Sequence, residues 1–405
     1  MFEPSVLLIL ILYVALAALA VRAFQGSVQD ILLAAVNALG LGLLLPWAEG
    51  SVYLIVYGLF LLAFWSTLSK VGRSDAAYFL TISLPLAMLC CVKYFGTELV
   101  GILEHGSSVE QRTPPFAVMI GLSFMVFRLI KLAVAVRNHR IEPPTAAHFF
   151  AFTCFLPTLP VGPIGELARF SLSKAAASHA AIPWGLAAER ILVGAVKYFF
   201  LGTILQLVTF EGLLFDGNGH APVEIFVAGA GYYLYIYCNF SGFCDMAIGV
   251  SALIGIEVEE NFDRPFTARN LSELWRRWHI TLGTFMSEMI FMPLAHWLGP
   301  RIGRRLLPLT VSVAVVVTFL LLGLWHGATW NFVAFGVLQS IGVLASYHWG
   351  NLLRSTLGVQ GYARYLRHRG VLWSGRVLTF AYMACSCIVF ANDPAHLARL
   401  GSMFP

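Results

Sequence analysis

The sequence predicts an all-α, polytopic membrane protein, and its composition and hydropathy carry that prediction. Of 405 residues, 59% are hydrophobic and 12% are charged, and the mean hydropathy is +0.77. A typical soluble domain is about 45–50% apolar and about 25% charged. So little charge leaves too few polar groups to cover a water-exposed surface. Disorder is excluded as well, because disordered chains combine low hydrophobicity with high charge.

Ten apolar stretches are long enough to cross a bilayer, since a hydrocarbon core of about 30 Å needs roughly 20 helical residues. In lipid, the backbone polar groups of each stretch must be satisfied within it, which requires a helix. The predicted spans are 5–21, 31–47, 52–69, 76–95, 116–136, 183–209, 223–256, 309–325, 328–349 and 371–391. We therefore expect about ten transmembrane helices in a single integral-membrane domain, 1–405, with a motif-bearing core at 116–350.

Two further apolar stretches predict re-entrant segments. The stretch 146–165 contains Pro157, Pro160 and Pro163, which a helix cannot hold so closely spaced without losing hydrogen bonds. Basic residues beyond both ends place both ends on the same side. Irregular backbone at membrane depth is tolerated only where protein buries it or a cavity adjoins it. The stretch 280–299 also runs between basic residues, so we expect it to dip into the membrane or lie at its interface.

Basic residues in short loops predict the orientation of the spans. Lys70 and Arg73 mark one cytoplasmic loop and Arg137 and Arg140 another, whereas the segment 96–113 between them is mainly acidic. By the positive-inside rule this alternation places the N-terminus outside. The net charge is only +5, and no hydrophilic domain interleaves basic and aromatic residues, so no nucleic-acid partner is expected. The seven cysteines lack zinc-ligand spacing, so no metal site is predicted.

Polar residues inside a membrane are costly and are therefore functional candidates. The first cluster is 323–331, where His326 is flanked by glycines and tryptophans between two long apolar stretches. Imidazole is the side chain best suited to move a proton near neutral pH, and burial keeps its lone pair available. The alternative is a histidine at an interhelical hydrogen bond or an outer turn, and both interpretations stay open.

Two other clusters carry charge. In 274–279, Arg276 and Arg277 stand between two tryptophans, and His279 follows the second of them. The two arginines are candidates for docking an anionic donor or carrier, although charge alone favours ordinary positive-inside anchoring with an aromatic belt. In 239–246, Asp245 lies within an apolar run. An unpaired carboxylate there is unfavourable, so we expect Asp245 to pair with an arginine or a backbone donor.

The motifs together resemble the membrane-bound O-acyltransferase (MBOAT) family. The run 261–279 reads NFDRPFTARNLSELWRRWH and is followed downstream by GLWHGATWN at 323–331. The pair in this order is most similar to the bacterial branch that holds alginate O-acetyltransferases and teichoic-acid D-alanyl transferases. The similarity also takes in 121–124, 156–164 and 239–249, and so extends over most of the chain from about Gly121 onward.

This resemblance implies an MBOAT-like fold with His326 catalytic and His279 as a second participant. Within the same motifs we expect substrate contacts from five residues, Arg276, Arg277, Trp278, Trp325 and Asn331. The sequence departs from the family pattern in one place, where Ser287 and Glu288 stand instead of an Arg-Asp pair. The loss of a cation there bears on recognition of the donor or a partner.

The resemblance further implies a bacterial plasma (inner) membrane enzyme with no tightly bound cofactor. Its acyl group, with acetyl favoured, would come from a cytoplasmic thioester, acetyl-CoA or an acyl carrier protein. The acceptors would be hydroxyls of an extracytoplasmic cell-envelope polysaccharide or an exopolysaccharide such as alginate. A periplasmic or extracellular partner protein would complete the transfer. The alternatives are D-alanyl transfer to a teichoic-acid-like polymer, a transporter or flippase, and a non-catalytic component of an export complex.

Overall fold

The computed structural model describes residues 4–44, 47–103, 121–214 and 221–402. Within these ranges the chain is helical and forms no strand, apart from one isolated antiparallel bridge between Phe262 and Trp278. Seven of the described helices are long and apolar enough to cross a membrane. These features confirm the predicted all-α, polytopic class.

The helices follow the predicted spans closely. Those in the first half of the chain are α1 (Pro4–Ala23), α2 (Gly26–Leu44), α3 (Trp47–Leu68), α4 (Asp75–Leu103), α5 (Leu122–Arg137), α6 (Ala146–Thr153), α7 (Leu167–Ala177), α8 (Trp184–Ala195) and α9 (Gly202–Gln206). Those in the second half are α10 (Phe210–Leu213), α11 (Pro222–Ile254), α12 (Leu271–Trp275), α13 (Ile280–Met286), α14 (Met292–Ile302), α15 (Leu307–His326), α16 (Trp330–Arg367), α17 (Arg369–Ala391) and α18 (Pro394–Ser402).

Three predicted spans are not among the seven membrane-length helices. The apolar part of α3 is only Ile55–Leu68, α5 has 16 residues, and a π-helical segment, Val196–Leu201, separates α8 from α9. The predicted acidic loop 96–113 begins as the last turns of α4, and its remainder, 104–113, lies outside the described residues. The start of the predicted span 116–136 and residues 215–220 of the outer loop lie outside them as well.

The chain splits into two compact units. The first comprises Met1–Gly194 with Phe243–Glu259, and the second comprises Ala195–Gly242 with Glu260–Pro405. The division therefore falls within α11. That both units act as one membrane domain stays a prediction from the sequence.

In the first unit, the predicted break at the prolines is confirmed. Helix α6 ends at Thr153 after eight residues, which is about 12 Å of helix and too short to cross a bilayer. A single 3₁₀ turn, Leu156–Thr158, follows, and the chain is then irregular up to α7.

A buried arginine on α5 satisfies the carbonyls of this irregular segment. The Arg128 guanidinium is 2% exposed and donates to the carbonyl oxygens of Phe152 at 3.2 Å and Thr153 at 3.3 Å, and to Thr158 Oγ1 at 3.0 Å. Backbone oxygens that leave a helix must find other donors when water is absent, and a charged donor makes the stronger bond. Arg128 is thus the residue that makes the broken segment compatible with burial.

Two other basic residues hold the first unit together. Arg22, in the last turn of α1, donates to the carbonyl oxygens of Ala177 at the end of α7 and of Leu253 at the end of α11, where helix dipoles favour a cation. Arg190 on α8 forms an ion pair with Asp245 on α11. This pair confirms the prediction that Asp245 finds an arginine or a backbone donor.

In the second unit, glycines allow α15 and α16 to pack as a tight antiparallel pair. A Cβ added at Gly323 would lie 2.3 Å from the carbonyl oxygen of Phe332, and one at Gly336 would lie 2.4 Å from that of Phe319. Both distances are far inside van der Waals contact, so only glycine permits this approach. The close packing places the turn after His326 directly against the start of α16.

Candidate functional site

The motif 261–279 folds into a closed loop whose two ends meet. The backbone N–H of Asp263 donates to the carbonyl oxygen of Arg277 at 2.9 Å, and that of Ile280 donates to the carbonyl oxygen of Asn261 at 2.9 Å. Trp278 packs inside the unit, with its ring 5.3 Å from that of Tyr233 and 5.2 Å from that of Phe262. The loop therefore holds the residue after Trp278 in a defined place.

That residue, His279, is buried and has an unusual backbone. It is the N-cap of α13 with φ 46° and ψ 55°, a left-handed conformation that few residues other than glycine adopt. Its side chain is buried. The imidazole makes an edge-to-face contact with the Phe240 ring, and the two ring centroids are 4.6 Å apart. Strained backbone of this kind concentrates at functional sites.

Asn261 determines which nitrogen of His279 carries the hydrogen. Its Oδ1 accepts from the backbone N–H of Thr281 at 3.1 Å and from the Thr281 hydroxyl at 2.9 Å, and it lies 3.2 Å from His279 Nδ1. Because the backbone N–H can only donate, the atom facing it is the amide oxygen, and His279 Nδ1 must then be the protonated nitrogen. In the neutral ring, the lone pair is consequently on Nε2.

The two arginines of the motif are in different environments. Arg277 forms ion pairs with Glu273 at 3.1 Å and with Asp263 at 3.1 Å. Arg276 makes no ion pair or hydrogen bond through its side chain within the part of the chain that the structure describes, and it lines an open cleft. Arg277 therefore serves the loop itself, whereas Arg276 is available to a ligand. The substrate contacts assigned to both from the sequence stay predictions.

Glu273 should make the stability of this loop depend on pH. Burial of Glu273 opposes its charge, but hydrogen bonds from Arg269 and Arg277 outweigh that effect and lower the pKa of the carboxyl group. Its stabilising contribution is then complete above the unfolded-state pKa of about 4.3 and is lost as the pH falls through the lower folded-state value. We expect Glu273→Gln to lower the thermal unfolding temperature at neutral pH and the difference from wild type to shrink below about pH 4. A difference that stayed constant over this range would contradict the proposed ion pairs.

His326, the last residue of α15, lies among aromatic rings in the same unit. Its ring centroid is 4.5 Å from that of Trp325, 4.9 Å from that of Phe390 and 6.1 Å from that of Phe332. The side chain is half-buried. Burial lowers the pKa of the His279 imidazole, and the charge of a protonated His326 lowers it further. The structure thus brings together the two histidines that the sequence singled out.

Asn331 anchors this aromatic group. Its side-chain N–H donates to the carbonyl oxygen of Phe390 at 3.2 Å, which links α16 to α17. Its Oδ1 is buried and accepts no hydrogen bond from the described residues. No hydrogen bond between Asn331 and the His326 ring is present among the described residues, but Phe390, whose carbonyl oxygen accepts from Asn331, also contacts that ring. The buried oxygen is suited to accept a hydrogen bond from a hydroxyl ligand.

A cleft of about 510 Å³ is lined by residues that are near the two histidines in the chain, although neither histidine is itself among its lining residues. It is lined by residues of α13, α14 and α15, mostly apolar, together with Trp275, Arg276, Ser287 and Glu288. Its α15 wall includes Leu322, about one turn before His326, and Phe319, about two turns before it, both on the same helix face as His326. Ser287–Phe291 is π-helical, a rare conformation that is frequent at functional sites.

Sequence reasoning missed two residues of this site. Asn261 was read only as part of a motif, and its partner His279 is 18 residues away. Gln339, fully buried on α16, accepts a hydrogen bond from the indole N–H of Trp275 at 3.2 Å and so ties the loop to that helix. A glutamine within an apolar span was the available signal for it.

The fold and the site define a polytopic, α-helical membrane protein in which chain neighbours of two histidines line an apolar cleft. The chain belongs to the membrane-bound O-acyltransferase family, MBOAT, whose sequence profile matches residues 52–391. The matched region includes the loop 261–279, both histidines and every helix that lines the cleft.

Named relatives fall into two activities. The chain is 28% identical over 243 residues to a teichoic acid D-alanyltransferase of Streptococcus thermophilus, covering 57% of each protein. It is 28% identical over 279 residues, 66% of this chain and 53% of the relative, to a protein of Azotobacter vinelandii named probable alginate O-acetylase AlgI. It is 30% identical over 210 residues, 50% of this chain and 38% of the relative, to a peptidoglycan O-acetyltransferase of Helicobacter pylori. The matched part of the chain thus spans about half the length of the first two relatives and less of the third.

Proposed function

We propose that the protein transfers an acyl group, with acetyl favoured, from a cytoplasmic thioester to hydroxyls of an extracytoplasmic polysaccharide in the bacterial cell envelope. The observation that supports this best is the pair of histidines, one with its tautomer set by Asn261 and the other among aromatic rings, whose chain neighbours line one apolar cleft. The acetyl-CoA or acyl carrier protein that brings the thioester and a periplasmic partner for the acceptor belong to the same proposal.

In this proposal His326 is the general base. The acceptor hydroxyl gives its proton to the imidazole while its oxygen bonds to the carbonyl carbon of the thioester. The C–S bond then breaks, and the thiolate leaves with the proton that His326 returns. In the same proposal Asn331 Oδ1, which is buried and accepts no hydrogen bond from the described residues, accepts one from a hydroxyl of the acceptor. His279 assists from the side of the donor, where Nε2 bears the lone pair.

Arg276 is the residue of the loop best placed to hold the phosphate groups of a CoA or phosphopantetheine donor, because it lines the cleft without a partner of its own among the described residues. We expect Arg276→Gln to raise the KM for the donor about tenfold, since a hydrogen bond to a charged group is worth about 1.5–3 kcal/mol, and to leave kcat and the unfolding temperature nearly unchanged. Steady-state kinetics with purified protein measure both constants.

Arg277→Gln is the matched control, because it removes the same charge from the neighbouring position. Its expected effect is a lower unfolding temperature through the loss of the pairs with Glu273 and Asp263. If Arg277→Gln rather than Arg276→Gln raised the KM in a protein of unchanged stability, the assignment of the two arginines would be wrong.

D-alanyl transfer is the second candidate, supported by the D-alanyltransferase among the relatives and by Glu288 on the cleft wall. A carboxylate there would favour an acyl group that carries an ammonium. Mass spectrometry of envelope polysaccharide from cells with and without the protein separates the candidates, because acetyl and D-alanyl groups differ in mass. A polysaccharide unchanged by deletion would contradict both and favour a non-catalytic role in an export complex.

A further inference from the structure

The end of α16 folds back on itself. Gly358, inside this helix, has φ 67° and ψ 176°, so the helix is interrupted there. The indole N–H of Trp349 donates to the Tyr365 hydroxyl at 3.4 Å, and the Arg354 guanidinium lies 5.2 Å from the centre of the Tyr362 ring. Residues 16 positions apart in a straight helix would be about 24 Å apart. The chain therefore reverses at Gly358, and we call 349–376 the fold-back segment.

The fold-back segment carries positive charge without any compensating acid. No aspartate or glutamate occurs between Glu288 and Asp393, and the basic residues of that stretch, histidine aside, are all arginine. Five of them belong to the fold-back segment, namely Arg354, Arg364, Arg367, Arg369 and Arg376. Arginine differs from lysine in presenting a planar fork that matches two oxygens of one phosphate.

Three of these arginines are open to a ligand. Arg364, Arg367 and Arg369 are exposed, and none forms an ion pair or hydrogen bond through its side chain with another residue that the structure describes. Arg364 and Arg367 are three positions apart on a helix, which places them on the same face. Arg369 follows at the first residue of α17. The three guanidinium groups thus belong to one short stretch of the segment.

Exposed apolar side chains are interleaved with these charges. Val359 is 77% exposed, Trp373 is 64% exposed and Leu357 is 47% exposed. The helical part after Gly358 is about 13 Å long, far too short to cross a membrane. Basic helices with apolar side chains lie in the plane of the membrane interface, where the apolar groups reach the acyl chains and the charges meet the headgroups.

We propose that the fold-back segment binds the phosphate headgroups of anionic phospholipids in the leaflet that it faces. The free arginines supply the phosphate contacts, and Val359, Leu357 and Trp373 supply the apolar contacts. A lipid fits both features, because the segment lies at the junction of two membrane-length helices, α16 and α17, where a chain that leaves and re-enters a bilayer is expected to meet headgroups. An acidic soluble protein would use the charge but not the apolar groups. This inference does not depend on the proposed acyl transfer.

The test is native mass spectrometry of the detergent-purified full chain after addition of phosphatidylglycerol or phosphatidylcholine. The variant Arg364→Gln/Arg367→Gln/Arg369→Gln removes three charges from the segment. The matched control Arg73→Gln/Arg140→Gln/Arg301→Gln removes three exposed charges elsewhere. Each arginine near an anionic surface is worth about fivefold in binding. We expect the first variant to retain less phosphatidylglycerol than wild type, by a factor of at least about ten. The control should retain nearly as much as wild type.

Equal retention of phosphatidylglycerol by wild type and the first variant would overturn the proposal. An equal loss of this lipid in the first variant and the control would also overturn it, because it would indicate a general effect of charge. Binding of phosphatidylcholine as strong as that of phosphatidylglycerol would also overturn it. An added acyl carrier protein tests the alternative that the segment binds an acidic soluble protein. If the first variant bound the carrier more weakly and retained lipid as wild type does, the segment would be assigned to a protein partner. Unfolding temperatures of all variants confirm that each is folded.

Discussion

Replacing His326 with alanine should reduce acyl transfer by about 10²–10⁴-fold, the range that a positioned general base contributes. The ring ends α15 and contacts Trp325 and Phe390, so the substitution removes the base while these neighbours remain to support the fold. The measurement is product formation by purified protein from a labelled thioester and an acceptor polysaccharide or oligosaccharide. Because the loss is one of chemistry, we expect it in kcat more than in the KM for the donor.

His348→Ala is the matched control for this experiment. His348 lies on α16, outside both the cleft lining and the aromatic group around His326, and its ring is 3.0 Å from the Ser312 hydroxyl on α15. We expect this variant to transfer acyl groups at nearly the wild-type rate. Full activity of a folded His326→Ala protein would exclude the general-base role, and equal losses in both variants would indicate damage to the α15–α16 pair instead of missing chemistry.

Replacing Asn261 with alanine should have the second-largest effect, on both stability and rate. The substitution leaves Thr281 and His279 without the oxygen that accepts their hydrogen bonds, and each buried donor left unsatisfied costs about 1–3 kcal/mol. It also removes the hydrogen bond that fixes the tautomer and the orientation of the His279 ring. We expect this loss of positioning to lower the rate about 10²-fold. Thermal unfolding and steady-state kinetics measure the two effects separately.

Asn261→Asp distinguishes positioning from a merely structural role. The carboxylate keeps an acceptor oxygen for His279 and Thr281, so stability and part of the activity should return. A negative charge beside the ring favours its charged form. The acid limb of the pH–rate profile should therefore move to higher pH, because more base is then needed to keep the ring neutral.

A second asparagine of the same loop serves as the control for this series. Asn270 accepts a hydrogen bond from the backbone N–H of Glu273 at 2.8 Å and caps α12. We expect Asn270→Ala to cost about 1 kcal/mol of stability and to leave the shape of the pH–rate profile unchanged. A profile that moved equally in the Asn270 and Asn261 variants would refute the positioning role of Asn261.

Much of the fold follows from the sequence, because lipid imposes one rule on every span. Apolar length and the need to satisfy backbone groups within a segment predicted helices close to the observed bounds, as for α1, α15 and α17. The prolines at 157–163 predicted where α6 stops. The reversal at Gly358 was not predicted, because the predicted span ends at 349, before the observed helix does, and because the reversal depends on contacts that Trp349 and Arg354 make with Tyr365 and Tyr362.

The candidate site was predictable only in part. His279 and His326 were identified because histidines are rare in such surroundings and because their neighbours resemble family motifs. The different environments of Arg276 and Arg277 could not be read from two adjacent identical residues, since they depend on how the loop places Glu273 and Asp263. Arg128 was missed, although an arginine within a predicted span is itself a signal of function or buried structure.

The position of Arg128 has a consequence for how the chain enters the membrane during synthesis. An arginine at the centre of an inserting helix costs about 2.5–3.5 kcal/mol, and the carbonyl oxygens of Phe152 and Thr158 that receive its hydrogen bonds lie 24 and 30 residues further along the chain. When α5 leaves the ribosome, these acceptors are still enclosed within it, because they follow Arg128 by 24 and 30 residues. We therefore expect α5 to stay at the translocon until the later segment emerges, so that the two enter the lipid together.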